Sequence, residues 1–276
     1  MTTFGARLHA AINTRGPLCA GIDPHSELLD AWGLSDDLQG LERFALTAGE
    51  RLAPAVAVVK PQSAFYERFG SRGIAVLERL LATCREGGAL VLLDVKRGDI
   101  GSTSQAYADA YLDPSSPLAA DAVTASPYLG FGSLTPMVET ARAHGAGLFV
   151  LALTSNKEGP EVQEALVRSE TGERAVADVV LDHLRELNRD AEPLGSFGAV
   201  VGATIAGGSH RLDVNGPILA PGYGAQGGTS ADLRRIFGST VGSVLPSTSR
   251  ALLRVGPDRL ADEADRINDQ LRGLGG

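Results

Sequence analysis

The chain has 276 residues, 43% of them hydrophobic, and its 25 Lys and Arg residues against 33 Asp and Glu residues give a formal net charge of −8. This length fits one large α/β domain or two small domains. The acidic balance argues against nucleic-acid or anionic-membrane binding through the overall field, but it leaves room for a local cationic pocket. No stretch of the sequence reaches the roughly 18 apolar residues of a membrane span.

An N-terminal helix is the first predicted element. Phe4, Leu8 and Ile12 recur at a spacing of four, which predicts a short amphipathic helix over about residues 3–14. The segment carries arginine and no acidic residue, as transit peptides do. Because it leads directly into the first predicted strand, we interpret it as part of the fold and predict a cytoplasmic protein.

Eight short apolar runs follow and predict the strands of a sheet. Each run is unbroken rather than alternating, which indicates strands that are covered on both faces. The predicted strands are Leu18–Ile22, Ala55–Val59, Ala89–Asp94, Ala122–Ala125, Leu148–Leu153, Ala199–Ala203, Ile218–Ala220 and Thr240–Leu245.

Helix-like segments separate most of these runs. Apolar residues recur at three- and four-residue spacing in Leu41–Leu52, Ile74–Arg85, Pro136–His144 and Glu173–Asn188, and the tail predicts a closing helix over about residues 257–271. Eight alternating strands and helices predict an α/β fold, a (β/α)8 TIM barrel that forms one domain over residues 1–276. A doubly wound sheet is the rival fold, but no GxGxxG follows the first strand.

Two segments fit this pattern less well. The stretch IAGGSHRLDVNG, between the sixth and seventh runs, has room for only about two helical turns. The charged segment from Asn156 to Thr171 predicts an extended loop or an extra helix after the fifth strand. The sequence contains no internal repeat, low-complexity tract or linker, so one domain is the economical interpretation.

Neither cysteine nor histidine predicts a metal site. Cys19 and Cys84 are isolated, and we interpret both as reduced packing residues. The five histidines show no ligand spacing, and His25, near a strand end, is expected at the surface. These residues therefore give no indication of a metal site.

Charged residues follow the second and third strands. In a (β/α)8 barrel the chemistry lies at the carboxyl ends of the strands. Asp94 and Lys96 are two residues apart and should point to the same side of their strand, and Asp99 follows a glycine that permits a sharp turn. Lys60 ends a buried strand, where an unpaired ammonium is costly. Together these residues predict a ring of alternating charge that fixes both lysines.

The loops after the seventh and eighth strands indicate a phosphate site. GYGAQGG, residues 222–228, contains four glycines, which expose backbone N–H groups and allow close approach of a ligand. Arg250 follows the eighth strand and is suited to a bidentate phosphate contact. Barrels commonly bind phosphate with these two loops.

These motifs resemble the orotidine 5′-phosphate decarboxylase family over nearly the whole chain. DVKRGDI is similar to the family's signature on the third strand, and GIDP, VKPQ, APGYGAQGGT and the arginine after strand eight occur in the family's order. SPYLG and PSTSRA are similar to its longer bacterial branch. The resemblance implies a homodimer with shared active sites that decarboxylates orotidine monophosphate to UMP without metal or cofactor.

The resemblance also implies roles for individual residues. Lys60, Asp94 and Lys96 would form the charged cluster of one subunit, and Asp99 and Thr103 would reach the partner's site. Asp23 would contact the ribose or the charge network. Ser155, in a segment LTSN that departs from shorter members, is the candidate for the pyrimidine. The implied phosphate ligands are Gln226, Arg250 and backbone amides near Gly222 and Gly224.

The implied reaction explains why the chemistry needs a lysine. Loss of CO2 from C6 leaves a carbanion that no carbonyl is positioned to delocalise. A fixed ammonium beside C6 would stabilise this charge and then donate the proton, and Lys96 is that group. Asp94 would lie near the departing carboxylate and hold Lys96 in place.

Three alternatives share parts of the pattern. Mg²⁺-dependent sugar-phosphate synthase and decarboxylase relatives have an acidic ligand at the second strand, where Lys60 would repel a cation. A Schiff-base aldolase needs a neutral Lys96 or Lys60, which flanking carboxylates disfavour. A non-catalytic phosphate-binding barrel leaves the clustered charges unexplained.

Overall fold

Eight parallel strands close into a barrel in the computed structural model, which describes residues 2–169, 172–205, 210–224 and 227–274. Each barrel strand pairs with the next one in the chain, and the last pairs with the first. The barrel strands are β1 (Cys19–Ile22), β2 (Val58–Pro61), β3 (Leu90–Arg97), β4 (Ala122–Ala125), β5 (Gly147–Leu153), β8 (Phe197–Val201), β9 (Ile218–Pro221) and β10 (Val244–Thr248). This confirms the predicted (β/α)8 barrel.

Helices surround the barrel. They are α1 (Phe4–Arg15), α2 (Ser26–Ala31), α3 (Leu38–Leu52), α4 (Ala64–Glu67), α5 (Gly70–Glu86), α6 (Gly101–Leu112), α7 (Thr135–His144), α8 (Pro160–Gln163), α9 (Val176–Leu187), α10 (Ser230–Phe237), α11 (Arg250–Leu253) and α12 (Leu260–Arg272). Short 3₁₀ helices occupy Phe131–Leu134, Gly238–Ser243 and Pro257–Arg259. None of the helices in the described ranges is long and apolar enough to cross a bilayer.

Helix α1 closes the amino-terminal end of the barrel. Its Phe4 and Leu8 are buried among the apolar side chains of the barrel interior, and the Phe4 ring meets Phe149 of β5 edge to face at 6.0 Å. At Gly147 an added Cβ would lie 2.4 Å from the Phe4 ring, so glycine is required for this close approach. The closed end leaves the opposite end of the barrel for a ligand.

A second apolar cluster fills the space between the strands and the outer helices. This cluster contains outward-facing residues of the strands, such as Val59 and Leu93, and residues on the inner faces of helices such as α3 and α5. The unbroken apolar runs in the sequence follow from this arrangement, because barrel strands are covered on both faces.

Several element boundaries differ from the sequence prediction. Strand β2 starts at Val58 because the backbone N–H groups of Ala55 and Val56 bond back to Leu52. Strand β3 continues to Arg97 instead of ending at Asp94. Residues 240–243 belong to a 3₁₀ helix, and the last strand starts only at Val244.

The segment after β5 forms an unpredicted antiparallel hairpin. Strands β6 (Leu166–Ser169) and β7 (Gly172–Ala175) pair outside the barrel, and α9 therefore starts at Val176 rather than at Glu173. The short helix α8 does match the expected extra helix in this segment. Between β8 and β9, the described residues contain no helix, which fits the limited room there.

Candidate active site

A cavity of about 620 Å³ opens at the carboxyl ends of the barrel strands. Its polar lining comes from nearly every part of the chain: Asp23, His25, Lys60, Gln62, Asp94, Lys96, Thr154, Ser155, Asn156, Ser247, Thr248, Ser249 and Arg250. Apolar side chains such as Phe65, Leu151, Val200 and Tyr223 complete the wall. A mostly apolar wall with a few convergent charged groups is typical of a small-molecule site.

Strand alternation explains why charged side chains face the barrel interior here. Val58 and Leu92 belong to the apolar interior, and Lys60 and Asp94 lie two residues further along the same strands. Residues two apart share a face, so the charged pair forms the next layer toward the cavity. The apolar layer beneath keeps water away from one side of the pair.

Asp94 binds both lysines at once. The Nζ of Lys60 donates to Oδ2 of Asp94 at 2.9 Å, and the Nζ of Lys96 donates to Oδ1 at 2.6 Å. Lys60 and Asp94 are only 6% and 5% exposed, whereas 44% of the Lys96 side chain is accessible. The structure thus joins three of the four residues predicted for the charge ring, with Lys96 as the accessible member.

The ion pairs outweigh the cost of burial for both buried groups. Burial by itself raises the pKa of Asp94, but the positive charges of Lys60 and Lys96 bring that pKa well below its ordinary value. Burial likewise opposes the charged form of Lys60, yet the carboxylates of Asp94 and Asp23 raise its pKa. Both groups are therefore charged at neutral pH, as the sequence analysis predicts.

Lys96 has an unusual backbone conformation. Its φ is +44°, in the left-handed region that side chains other than glycine rarely adopt. The β3–β4 register pairs Leu93 with Val123 and Arg97 with Ala125, so β3 advances four residues while β4 advances two. This bulge contains Asp94 and Lys96, and bulges commonly aim side chains at active sites.

Three buried side-chain oxygens of cavity-lining residues have no hydrogen-bond partner among the described residues. The side-chain oxygens Oδ1 of Asp23, Oγ1 of Thr248 and Oγ of Ser249 are buried and accept or donate no hydrogen bond among the described residues. Arg250 lines the same wall and forms no ion pair within the described part of the chain. Buried polar groups are normally satisfied, so the two hydroxyls and Arg250 are suited to an anionic ligand group, and the Asp23 oxygen is suited to a hydrogen-bond donor of the ligand.

The glycine-rich loop reaches the cavity through its first two residues, Gly222 and Tyr223. Gly222 lines the cavity and has a φ of +101°, and Gly224 has a φ of +74°. The N–H of Gly224 donates to the carbonyl of Gly228, so this amide is used inside the loop. Gln226, the predicted phosphate ligand of this loop, lies outside the described residues.

Asp99 and Thr103 lie away from the cavity of their own chain. Asp99 is half-buried beyond β3, where its Oδ1 accepts the N–H of Ile100. Thr103 is exposed on α6. Neither lines the cavity, whereas Ser155 lines it beside Gly202, where an added Cβ would lie 3.2 Å from the Cβ of Ser155.

Three residues of the site were missed in the sequence analysis. His25 lines the cavity, against the expectation of a surface position, and its ring meets Phe65 at 4.3 Å. Gln62 donates to the carbonyl of Asp94 at 3.2 Å, and its position after VKP was the available signal. Thr124 lies inside an apolar run, so no pattern marked it, yet it bonds both Asp94 and Lys96.

Comparisons with known proteins agree with this geometry. Residues 16–261 match the orotidine 5′-phosphate decarboxylase / HUMPS family. A relative named orotidine 5′-phosphate decarboxylase, from Nocardioides sp. strain JS614, is 69% identical over 99% of this chain and 100% of its own. A protein of the same name from Salinispora tropica is 62% identical over 97% and 96% of the two chains.

Solved structures give the same result. A crystal structure from Streptomyces avermitilis superposes with a TM-score of 0.96 and is 58% identical, over 100% of this chain and 96% of that one. The structure of Leishmania donovani OMP decarboxylase superposes with a TM-score of 0.76 at 29% identity, over 99% of both chains. The barrel, the charged cluster and these similarities over the full length lead to one assignment: the chain belongs to the orotidine 5′-phosphate decarboxylase / HUMPS family.

Proposed function

We propose that the chain decarboxylates orotidine 5′-phosphate to UMP, the reaction of de novo pyrimidine synthesis, and that it needs neither metal nor cofactor. The observation that carries this proposal is the carboxylate of Asp94 held between two ammonium groups, 2.9 Å from Lys60 and 2.6 Å from Lys96. A fixed charge cluster of this kind supplies electrostatic stabilisation without reorganisation during the reaction.

Lys96 is suited to protonate the product carbanion. When the bond between C6 and the carboxylate breaks, the electron pair stays on C6 and CO2 leaves. The ammonium of Lys96, accessible from the cavity, stabilises the developing charge and transfers a proton from Nζ to C6. The neutral amine then regains a proton from water. Asp94 fixes the ammonium, and the charges of Lys60 and Lys96 hold the pKa of Asp94 well below its ordinary range before the proton is transferred.

The remaining lining fits the rest of the nucleotide. Arg250 and the hydroxyls of Thr248 and Ser249 offer donors to a phosphate, and Asp23 offers an acceptor for ribose hydroxyls. Ser155 is the proposed contact to the pyrimidine, and Gln226 is a further proposed phosphate ligand. Binding energy from the phosphate, remote from C6, would support the chemistry at C6.

The residues at the carboxyl ends of the strands disfavour the metal-dependent reaction of the Mg²⁺-dependent relatives. At the second barrel strand Lys60 holds an oxygen of Asp94, the very carboxylate that a divalent cation would require. We therefore propose that the substrate is the nucleotide and not a sugar phosphate bound through Mg²⁺.

We further propose a homodimer with shared sites. Asp99 and Thr103 do not line the cavity of their own chain. Large apolar side chains are exposed beside Asp99 in the chain, at Ile100 (62%), and after the neighbouring strand β4, at Tyr128 (77%) and Leu129 (52%). Such residues are suited to contact with a second copy, which would bring Asp99 and Thr103 to the partner's cavity. A cytoplasmic location stays a prediction.

One assay tests the reaction. Purified protein is mixed with orotidine 5′-phosphate, and the loss of pyrimidine absorbance and the appearance of UMP are followed with and without EDTA. We expect complete conversion at the same rate in both samples. No conversion would refute the proposal, and a rate lost with EDTA and restored by Mg²⁺ would favour the metal-dependent relatives.

A further inference from the structure

Thr124 is a polar residue inside an otherwise apolar strand. Strand β4 reads Ala-Val-Thr-Ala, and all four residues are buried, with Thr124 only 1% exposed. Ala122, two residues earlier, belongs to the apolar barrel interior, so Thr124 occupies the next layer toward the cavity, as Lys60 and Asp94 do on their strands. Thr124 does not line the cavity itself.

The Thr124 hydroxyl connects Asp94 with Lys96 through two hydrogen bonds. Its Oγ1 donates to Oδ1 of Asp94 at 2.9 Å and accepts the backbone N–H of Lys96, also at 2.9 Å. One hydroxyl therefore uses its donor on the carboxylate and an acceptor lone pair on the amide. Asp94 in turn accepts the ammonium of Lys96 at the same oxygen, which closes a ring of three residues.

The backbone of Lys96 needs such a partner. Because β3 bulges between Leu93 and Arg97, the N–H of Lys96 has no place in the regular β3–β4 ladder. The Lys96 amide is partly buried, where the loss of an acceptor is unfavourable, and the left-handed φ of +44° is disfavoured as well. The Thr124 oxygen takes the place of the missing carbonyl and stabilises the bulge in this conformation.

We infer that Thr124 is a positioning residue, which fixes the Lys96 backbone and the Asp94 carboxylate so that the ammonium is aimed at the reacting carbon. Its effect on turnover rests on the proposed function, whereas its effect on the Lys96 backbone does not. Thr124 acts through Asp94 and Lys96 and does not touch the substrate. Its loss should therefore lower kcat and leave KM nearly unchanged.

Three variants test this inference. Thr124→Val keeps the shape but removes the acceptor of the Lys96 N–H and one of the two donors to Oδ1 of Asp94. Thr124→Ser keeps the hydroxyl and removes one methyl group. Ser196→Ala is the matched control, because the Ser196 hydroxyl also accepts a backbone N–H, that of Gly5 at 3.1 Å, at the closed end of the barrel.

We expect Thr124→Val to lower kcat by about 10- to 100-fold, as small misplacements of reacting groups do. KM should change less than about twofold, and Thr124→Ser and Ser196→Ala should keep kcat near that of the unmodified chain. Amide hydrogen exchange provides the second measurement. The Lys96 N–H should exchange faster in Thr124→Val than in the other two variants, because only there has it lost its acceptor.

The outcomes separate the two proposals. Conversion by the unmodified chain with an unchanged kcat in Thr124→Val would overturn the positioning role alone. An inactive unmodified chain would overturn the proposed function, and the Lys96 amide exchange would still test the role of Thr124. An equal loss of kcat in Thr124→Val and Thr124→Ser would also overturn the role, because the hydroxyl would then not matter. Should Thr124→Val fail to fold, Thr124→Ala takes its place against the same serine variant.

Discussion

Lys96 and Asp94 form an ion pair of 2.6 Å in which the two partners differ in accessibility: 44% of the Lys96 side chain is exposed, and 7% of the Asp94 side chain. The Asp94 carboxylate also pairs with Lys60 through its second oxygen, Oδ2, so each carboxylate oxygen has an ammonium partner. The Lys96 ammonium donates to Asp94 and, at 3.5 Å, to Oε1 of Gln62, and it is open to the cavity. This asymmetry lets Lys96 act on a ligand while Asp94 stays in place.

Replacement of Lys96 is expected to abolish decarboxylation. Lys96→Ala removes the proton donor, and Lys96→Arg keeps a cation whose proton is not transferred at neutral pH. Both variants should lose at least about 10³-fold in kcat, because both lose the proton transfer, and Lys96→Ala loses the placed charge as well. Turnover is measured by absorbance, and circular dichroism verifies the fold. A folded Lys96→Arg variant with substantial turnover would exclude Lys96 as the acid.

Replacement of Arg250 is expected to affect the phosphorylated substrate selectively. Arg250→Ala removes a charge-assisted contact, so kcat/KM for the nucleotide should fall by at least about tenfold. The unphosphorylated nucleoside should react at a nearly unchanged rate. Arg254→Ala is the matched control, since Arg254 is exposed and pairs with Glu27 at 3.4 Å. Equal losses on nucleotide and nucleoside would show that Arg250 is structural.

Mixing two inactive variants tests the shared site. Lys96→Ala and Asp99→Ala chains are unfolded and refolded together in equal amounts, and subunit exchange is verified independently. If Asp99 acts in the partner's cavity, each mixed dimer has one intact site. Random pairing makes half of the dimers mixed, so about a quarter of the unmodified activity should return. Exchanged chains that stay inactive would contradict the shared site.

The contribution of His210 to stability is expected to depend on pH. Its ring contacts Asp178 at 2.8 Å and Glu164 at 3.1 Å. Burial by itself lowers the pKa of His210, but the hydrogen bonds to these two carboxylates outweigh it and raise the pKa above its ordinary value. The folded state therefore favours the protonated ring. The resulting stabilisation is complete below the unfolded pKa of about 6.5 and is lost as pH rises through the folded pKa.

Thermal unfolding measures this dependence. His210→Gln should lower Tm relative to the unmodified chain more at about pH 5.5 than at about pH 9, because the stabilisation is lost as pH rises through the raised pKa of the folded state. His9→Gln, at an exposed position on α1, controls for the loss of an imidazole. The same Tm difference for His210→Gln at both pH values would contradict the assignment.

The sequence by itself determined the barrel and the main chemistry of its site. Strands buried on both faces must be apolar throughout, so their runs mark them in the chain. The charges that end those runs cannot remain inside a core unpaired, which identified Lys60, Asp94 and Lys96 as a cluster. The element boundaries were less certain. In the hairpin formed by β6 and β7, Leu166 and Val167 are exposed, so burial imposed no strand pattern on this segment.

The tertiary structure decided what depends on neighbouring strands. The bulge at Lys96 arises from the mismatch between β3 and β4, and no residue in DVKRGDI encodes its positive φ locally. In the sequence, Thr124 is one more member of an apolar run. The closed barrel places its Oγ1 2.9 Å from Oδ1 of Asp94. The local sequence indicates the secondary-structure propensity of a segment and whether its residues are buried. Which groups satisfy one another's hydrogen bonds across about 30 residues of chain is decided by strand register.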